Sequence, residues 1–331
     1  MNAPAESPVG GTIVTPVRNR RRLAGPALTW LAVTPFAAWA VARMAGLERG
    51  SLPTQIMTAT PYAAAGSLVP LLIAAIGRRR AATAVALLTT TALGFSVLPR
   101  ALGTGEATAG RSLKVMTINM LFGRADAETI MRLVREFDPD VLSTQELTPG
   151  AVSDLDAAGL KELMPHRVLE AEWSAGGSGL YSKHSMRELP DVAPPTGHQM
   201  PVALVSLPGG DPIEFVDVHP FPPLGPNVVQ WNEALAALPS ASPDRVRILA
   251  GDFNASLDHA ALRRLLDRGY KDAADQVGAG LIPTWPANKR VPPIITIDHV
   301  LVDRRVGVRE VSVRDVPGTD HRAVLAELTV P

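Results

Sequence analysis

The sequence predicts an α/β domain preceded by three transmembrane helices, and three observations support this fold class. Residues 111–331 alternate short β-branched runs with helical segments and polar loops, without a visible internal repeat. The N-terminal third contains three long uncharged stretches, and the two parts of the chain carry opposite net charge. Mixed strands and helices over about 220 residues are typical of one layered α/β domain.

Eight strands and three helices are predicted in this domain. The strands are Leu113–Asn119, Val141–Gln145, Gly179–Ser182, Val202–Ser206, Ile213–His219, Val246–Ala250, Ile297–Val302 and Val306–Val313, with a last strand opened by Asp320 and His321. The helices are Ala127–Glu136, Pro226–Ala237 and His259–Arg268.

The uncharged stretches are long enough to cross a bilayer. They are 20, 27 and 19 residues long: Leu23–Ala42, Ser51–Gly77 and Ala81–Pro99. About 20 apolar residues span the hydrocarbon core, and packed transmembrane helices tolerate proline because neighbouring groups satisfy the freed carbonyls. We therefore expect a basic tail over 1–22, a three-helix anchor over 23–102, and a linker over 103–112 that includes the short run Gly103–Gly110.

Clustered arginines predict the orientation of the anchor. Arg18, Arg20, Arg21 and Arg22 precede the first stretch, and Arg78–Arg80 separate the second from the third. Both clusters belong in the cytoplasm by the positive-inside rule. The N-terminus is then cytoplasmic, everything after about Leu102 is extracytoplasmic, and Arg43 lies near the outer end of the first helix, where it could snorkel.

Two other interpretations of the N-terminal third stay open. The first stretch follows a basic segment and could be a cleaved signal peptide, which would leave the C-terminal half on the same side. All three stretches could instead be buried helices of a soluble protein, although the arginines cluster where turns should fall.

Charge and composition limit the classes of function. Residues 1–110 hold 10 basic and 3 acidic side chains, a net charge of +7, and residues 111–331 hold 22 and 29, a net charge of −7. An acidic domain lacks the general attraction that supplies most nonspecific nucleic-acid affinity. The absence of cysteine excludes disulfides and thiolate metal sites.

Polar side chains lie at the ends of several predicted strands. They are Asn119, Gln145, Glu146, His219, Asp252 and Asn254 at strand ends, Asp298 within a late strand, and Asp320 and His321 before the last one. Side chains at strand ends can converge on one rim of a sheet. Each residue alone could be a turn, a cap or a solvated strand end, so the ordered set carries the prediction.

The set resembles a known family. The segments VMTINML, PDVLSTQEL, VDVHP, LAGDFNA, TIDHVLV and GTDHRAVLAEL occur in the order of the endonuclease/exonuclease/phosphatase superfamily, with the deoxyribonuclease-I-like fold. The similarity covers essentially all of 113–329, and GSGLYSKH and PTWP also look like family landmarks. The resemblance implies a four-layered α/β/β/α sandwich over residues 113–331.

The resemblance also implies a metal site. Glu146 would be the principal metal carboxylate, with Asn119 beside it, and Asp320 would contribute to the metal site or hold the surrounding network. These hard oxygen ligands suit Mg²⁺ or Mn²⁺ rather than zinc.

By the same resemblance, five residues would carry out the chemistry. Asp252 would orient and activate the attacking water, and Asn254 would hydrogen-bond the phosphoryl group. His219 and His321 would flank the phosphate, and Asp298 would fix the tautomer and orientation of one histidine, with His321 as the expected partner. Phosphoryl hydrolysis needs charge neutralisation, an aligned water and a protonated leaving group, so the set is chemically coherent.

The sequence departs from the family in three places. Thr319 stands where serine is common and keeps the hydroxyl, and Lys183, a candidate substrate-binding residue, stands where arginine is frequent. Residues 220–223, Pro-Phe-Pro-Pro, form an apolar lip. With Trp285, a second candidate for substrate binding, and Trp173, this lip could contact a lipid or an isoprenoid chain.

The combination of three spans with this domain is similar to actinomycete teicoplanin-resistance membrane phosphatases. The similarity implies hydrolysis of a membrane lipid phosphate or polyprenyl pyrophosphate in cell-envelope metabolism or glycopeptide resistance. The bilayer and a lipid-linked phosphate are the expected partners, nucleic acid is less favoured, and no obligate protein partner is evident. Alternatives are a cell-surface nuclease, a phospholipase-type phosphodiesterase, or an inactive membrane-tethered binding module.

Overall fold

The computed structural model describes residues 20–103, 109–190, 192, 197–287 and 291–331. Most of the predicted basic tail (1–19) and the middle of the predicted linker (104–108) lie outside the described residues.

Six helices form the described N-terminal part of the chain. They are α1 Arg20–Ala45, α2 Ser51–Met57, α3 Thr60–Gly66, α4 Leu68–Ile76, α5 Arg80–Val97 and α6 Pro99–Leu102. Two are long and apolar enough to cross a membrane, Gly25–Ala45 of α1 and α5, and the number rises to three if the bent pair from Ser51 to Ile76 is one span. Ala40, Ala63 and Leu93 form their small shared core.

The second uncharged stretch, which the sequence predicts as one membrane-spanning helix, is broken in the structure. It bends by 63° between Met57 and Thr60. Pro61 lies in the first turn of α3 and has no N–H to donate to the Met57 carbonyl, which is four residues earlier. The Thr60 hydroxyl donates to that carbonyl instead, at 2.7 Å, so the break leaves no unsatisfied oxygen there.

The C-terminal domain, residues 111–331, contains two mixed sheets. Its strands are β1 Arg111–Asn119, β2 Val141–Gln145, β3 His166–Glu170, β4 Ser178–Ser182, β5 Met186–Glu188, β6 Val202–Val205, β7 Ile213–Val218, β8 Arg247–Asp252, β9 Tyr270–Asp272, β10 Asp298–Asp303, β11 Gly307–Asp315 and β12 Arg322–Val330. One sheet has the order β11-β12-β1-β2-β4-β3 and the other β5-β6-β7-β8-β10-β9. Its helices are α7 Ala127–Phe137, α8 Pro149–Ala157, α9 Leu160–Leu163, α10 Asn227–Ala237, α11 Ala260–Leu266 and α12 Ala273–Gln276.

Three apolar cores give this domain four layers. One core joins the two sheets through side chains such as Leu113 and Phe215. A second lies between the first sheet and α7 to α9, where Ile130 is buried, and a third lies between the other sheet and α10 and α11, where Trp231 is buried. The predicted four-layered sandwich is therefore confirmed.

Strand register brings the polar strand ends to one rim. β1 and β2 are parallel with Asn119 opposite Gln145, and β8 pairs antiparallel with β10 so that Asp252 lies opposite Asp298. β7 runs parallel to β8, and β12 runs antiparallel to β1, so the end of β7 and the start of β12 reach the same edge. The two sheets thus present their functional side chains on a common face.

Candidate active site

The rim opens into a cavity of about 620 Å³. Seven of the ten site residues predicted from the sequence line it: Glu146, His219, Asp252, Asn254, Trp285, Asp320 and His321. Asn119 and Asp298 are buried directly behind this surface and hydrogen-bond to lining residues. Nine of the ten residues therefore belong to one constellation.

Asn119 ties the two central carboxylates together. Its amide Nδ2 donates to Asp252 Oδ2 at 3.0 Å and to Glu146 Oε1 at 3.2 Å. Its Oδ1 accepts from the Leu121 N–H at 2.9 Å. In this orientation Asn119 offers a donor to the carboxylates rather than an oxygen to a metal ion, which differs from its predicted role as a ligand.

Glu146 is held in an uncommon backbone conformation. Its φ is 53°, in the left-handed region that few residues other than glycine adopt. The Phe122 N–H donates to Glu146 Oε2 at 2.8 Å, which fixes the carboxylate toward the cavity. Burial raises the pKa of Glu146, and the charge of Asp320 adds to this effect.

Asp298 orients His321. Both carboxylate oxygens of Asp298 lie 3.0 Å from His321 Nδ1, and His321 Nε2 lies 3.7 Å from Asp252 Oδ2. Burial lowers the pKa of His321, but the charges of Asp298 and Asp252 outweigh it and raise that pKa to about 10. His321 is therefore an imidazolium at neutral pH in this arrangement.

Thr319 connects the His321 loop to β1. Its hydroxyl donates to the Asn119 carbonyl at 2.8 Å and accepts from the His321 N–H at 3.1 Å. A hydroxyl is needed because one atom must both donate and accept. Threonine in place of serine preserves this connection.

His219 has the opposite electrostatic character. Burial lowers its pKa well below the usual value, and the neighbouring His198 and His321 lower it further. Its Nε2 lies 3.9 Å from Asp252 Oδ2, and its ring lies 4.4 Å from that of His198. His198 also lines the cavity and packs on Phe221 at 4.2 Å. Sequence reasoning missed His198, since it lies in no recognised segment.

Asp252 is the centre of the polar network. It is fully buried and accepts from the Asn254 N–H at 2.8 Å through Oδ1 and from Asn119 through Oδ2. Burial raises its pKa to about 7, because the effect of Asp298 adds to desolvation while that of His321 opposes it. Asn254 also has positive φ, 48°, and its Nδ2 donates to the Pro220 carbonyl at 3.1 Å.

The chemistry of the donor set fits a divalent cation. Glu146, Asp252, Asp298 and Asp320 bring four carboxylates to the site, where His321 is the main positive group. Asp320 Oδ2 accepts from Trp285 Nε1 at 3.0 Å, whereas its Oδ1 is buried and has no hydrogen-bond partner among the described residues. A buried oxygen without a donor beside other carboxylates is suited to a hard cation.

Two groupings within the site could hold this ion. Ligand atoms of Asp252, Asp298 and His321 all lie within 4.8 Å of one another. However, Asp298 and His321 already bond each other, which occupies Nδ1. Glu146 and Asp320 both line the cavity, whereas Asp298 does not, so Glu146 and Asp320 are the better pair of ligands.

The structure does not bring Lys183 to the site. Gln145 pairs with Ser178 and Val141 with Ser182, so Lys183 follows the end of β4 that is remote from Glu146. Lys183 Nζ lies 2.9 Å from Asp138 Oδ1 instead. The predicted role of Lys183 in substrate binding is therefore not supported by its position.

The cavity has an apolar side that includes part of the N-terminal helices. Residues 221–223 of the apolar lip line it, together with Ile294 and Ile295. Gln55 of α2 and Thr58, which follows α2, complete this wall. Trp173, which the sequence groups with the lip, is 83% exposed and is not among the described residues that line the cavity.

This fold and site define the class of the protein as a hydrolase of phosphoesters built on an α/β/β/α sandwich. A family model described as the Endonuclease/Exonuclease/phosphatase family matches residues 116–321, and the chain belongs to this family. No curated protein matches the sequence.

Several solved structures share the fold. An endonuclease/exonuclease/phosphatase from Beutenbergia cavernae is 20% identical, with a TM-score of 0.52 over 66% of this chain and 72% of that one. TDP2 of D. rerio, solved with a single-strand DNA product, is 17% identical, with a TM-score of 0.51 over 66% and 99%. An AP endonuclease from Archaeoglobus fulgidus is 15% identical, with a TM-score of 0.52 over 65% and 98%. At these identities the similarity establishes the fold alone.

Proposed function

We propose that the protein is a Mg²⁺- or Mn²⁺-dependent phosphoesterase that hydrolyses a lipid-linked phosphate or pyrophosphate at the outer face of the cell membrane. One observation carries this proposal. The cavity joins the polar centre at Asp252 and His321 to an apolar lip and to the broken helix at Gln55 and Thr58. A substrate with a phosphate head and a long apolar chain matches both ends.

The residues of the polar end have complementary roles. Asp252, with a pKa of about 7, can accept the proton of an attacking water. Protonated His321 can donate to the leaving oxygen, because Asp298 keeps its Nε2 directed toward the site. Neutral His219 and the Asn254 amide can hydrogen-bond the phosphoryl oxygens.

Glu146 and Asp320 would hold the cation in this proposal. When bound, a divalent ion neutralises the charge that develops on the phosphoryl group. Asn119 keeps Glu146 and Asp252 at a fixed separation through its two donated bonds.

The helices support a membrane location. Large apolar side chains on them are well exposed, among them Leu31 (70%), Ile76 (81%), Leu88 (72%) and Phe95 (78%). Exposed apolar belts of this kind are stable in lipid rather than in water. With the arginine clusters, they favour the multi-pass topology proposed from the sequence, with the C-terminal domain outside the cytoplasm.

The substrate is tested on the full-length protein with Mg²⁺ or Mn²⁺ by separation of the reaction products, by mass spectrometry for lipids and by electrophoresis for DNA, because cleavage of a phosphodiester releases no inorganic phosphate. Polyprenyl pyrophosphates, phospholipids and duplex DNA are compared at equal phosphoester concentration. We expect the highest kcat/KM for a polyprenyl phosphate or pyrophosphate. DNA cleavage that exceeds lipid turnover would establish the nuclease alternative, and no turnover of any substrate would favour the inactive binding module.

A role in glycopeptide resistance rests only on the resemblance of three predicted spans followed by this domain to teicoplanin-resistance membrane phosphatases. It requires lipid turnover first. Deletion of the gene should then alter the pool of the lipid-linked phosphate, which mass spectrometry of membrane extracts measures.

A further inference from the structure

A buried cluster joins the C-terminal domain to the N-terminal helices. Asp258, which follows β8, accepts from Arg43 Nε of α1 at 2.8 Å, and from Arg100 Nη1 and Nη2 of α6 at 2.9 and 2.7 Å. The Asp258 side chain is 1% exposed, and those of Arg43 and Arg100 are 11% and 7% exposed. We call these three residues the docking cluster. Arg43 therefore pairs with the C-terminal domain and does not snorkel, contrary to the sequence-based expectation.

The docking cluster is specific as well as buried. A lone buried carboxylate is costly, whereas a bidentate guanidinium with a second cation satisfies the lone pairs of both oxygens. Such an arrangement requires α1, α6 and the Asp258 loop to meet in one register. Arg263 Nη2 also donates to the Arg43 carbonyl at 2.7 Å, which adds a contact from α11.

A second group of bonds fixes the broken helix over the cavity. His259 Nδ1 accepts from the Ser256 N–H at 2.8 Å, so Nε2 carries the proton and donates to the Thr54 carbonyl at 2.8 Å. Ser51 Oγ donates to the Pro223 carbonyl at 3.2 Å. The Tyr62 hydroxyl donates to the Ile294 carbonyl at 2.7 Å.

Gln55 and Thr58 lie between these attachment points. Ser51 and Tyr62 attach α2 and α3 to two residues that line the cavity, Pro223 and Ile294, and Gln55 and Thr58 line it from the segment between them. A smaller cavity of about 200 Å³ shares Thr58 and Ile294 with the large one and extends to Arg100. The bend at residues 57–60 is thus packed against the active-site cavity on the C-terminal domain.

We propose that the broken helix pair α2–α3 forms the wall along which a lipid substrate passes from the bilayer to the catalytic centre, and that Asp258 and His259 are positioning residues that hold this wall. The inference rests on the proposed lipid phosphoesterase function. The phosphate head enters past Gln55 and Thr58 while the chain stays between the apolar lip and the helices. Irregular backbone at membrane depth is tolerated where it faces protein or a cavity, which fits the 63° bend.

The test compares two substrates on the full-length protein in lipid nanodiscs with Mg²⁺. One is a polyprenyl pyrophosphate in the bilayer, and the other is a water-soluble nitrophenyl phosphoester. The variants are Asp258→Asn and Thr58→Trp. The matched control is Asp156→Asn, which weakens the partly exposed pair of Asp156 with Arg167 at 2.8 Å, on α8 and β3 of the C-terminal domain.

We expect both variants to lower the ratio of lipid to soluble kcat/KM at least tenfold, mainly through a higher KM for the lipid. The control should keep the wild-type ratio. A variant that only loses folded protein would lower both activities together and leave the ratio unchanged. Thr58→Trp leaves the docking cluster intact, so it tests the inference even if Asp258→Asn does not fold.

The two possible failures are distinguishable. If the wild-type protein hydrolyses the soluble phosphoester but not the lipid, the proposed function fails and the inference with it. If the wild-type protein hydrolyses the lipid and both variants keep its soluble activity as well as its substrate ratio, the inference alone is overturned.

Discussion

Asp298 and His321 form the tightest carboxylate–imidazole pair at the catalytic rim, with both carboxylate oxygens 3.0 Å from Nδ1. This contact determines which ring nitrogen faces the cavity. It also contributes, together with Asp252, to raising the pKa of His321 to about 10. The protonation state of the site therefore depends on a residue that does not itself line the cavity.

The first prediction concerns this pair. Asp298→Asn keeps the shape but removes the charge, so the His321 ring loses both its orientation and much of its proton affinity. We expect kcat to fall by about 10²-fold or more, the usual contribution of a positioned general acid, with KM little changed. Steady-state kinetics on the preferred phosphoester measure this, and a loss below threefold would contradict the assigned role.

The second prediction concerns the cation. Chelation with EDTA should abolish turnover, and Mg²⁺ or Mn²⁺ should raise the Tm of the apo protein because the ion binds the folded state. Glu146→Gln removes a charged ligand and should raise the apparent Kd for the metal ion at least tenfold. Thermal unfolding at varied metal concentration gives that Kd without an activity assay. An unchanged Kd would exclude Glu146 as a ligand.

The third prediction concerns Lys183. Its ammonium is paired with Asp138 and lies beyond the far end of β4, so Lys183→Ala should leave kcat/KM within twofold of the wild type. Because its partner is largely exposed, we expect a stability loss of less than about 1 kcal/mol. A kcat/KM reduced tenfold would restore Lys183 as a substrate-binding residue.

The fourth prediction concerns pH and the contact with α2. Burial lowers the pKa of His259, although Glu48, Asp258 and the Thr54 carbonyl oppose the effect and Arg263 reinforces it. As pH falls through about 6.5, the unfolded chain therefore binds a proton that the folded protein resists. Stability should decrease toward acid, by up to about 1.4 kcal/mol per pH unit for this one group.

His259→Gln isolates the contribution of that histidine. The variant should be less stable than the wild type at pH 8, and the difference in Tm should narrow at pH 5.5, because only the wild type loses stability through this group. Differential scanning calorimetry in detergent provides both values. A constant Tm difference across the range would show that His259 does not titrate as described.

The sequence predicts every strand that lies inside the two sheets and one of the four edge strands, β11, and it misses the other three. All eight strands predicted by range match strands of the structure, and the last one begins at Arg322 as expected. β3, β5 and β9 were not predicted, and each is the terminal strand of a sheet. Edge strands are paired on one side only, so their residues need neither the apolar content nor the alternation that marks a central strand.

The polar rim can be predicted because the sequence shows where the strands end. Contacts that depend on tertiary packing cannot be predicted in this way. The family motifs identify Glu146 and His321. The end of the sheet at which Lys183 lies, however, depends on the antiparallel pairing of β4 with β2. The bond from Arg43 to Asp258 joins residues 215 positions apart. No local pattern specifies such a contact, and the break at Pro61 becomes informative only once the cavity beneath it is known.

The docking cluster has a consequence for anyone who would express the C-terminal domain alone. Glu48 of the N-terminal part accepts from the Ala260 N–H in the first turn of α11, whose N-cap residue, His259, makes no capping hydrogen bond with its side chain. A chain that begins at Arg111 would lose this bond together with the guanidinium partners of Asp258, and would leave the Asp258 carboxylate without Arg43 and Arg100. Such a fragment should be prone to self-association, and its solubility should improve with the helices retained rather than removed.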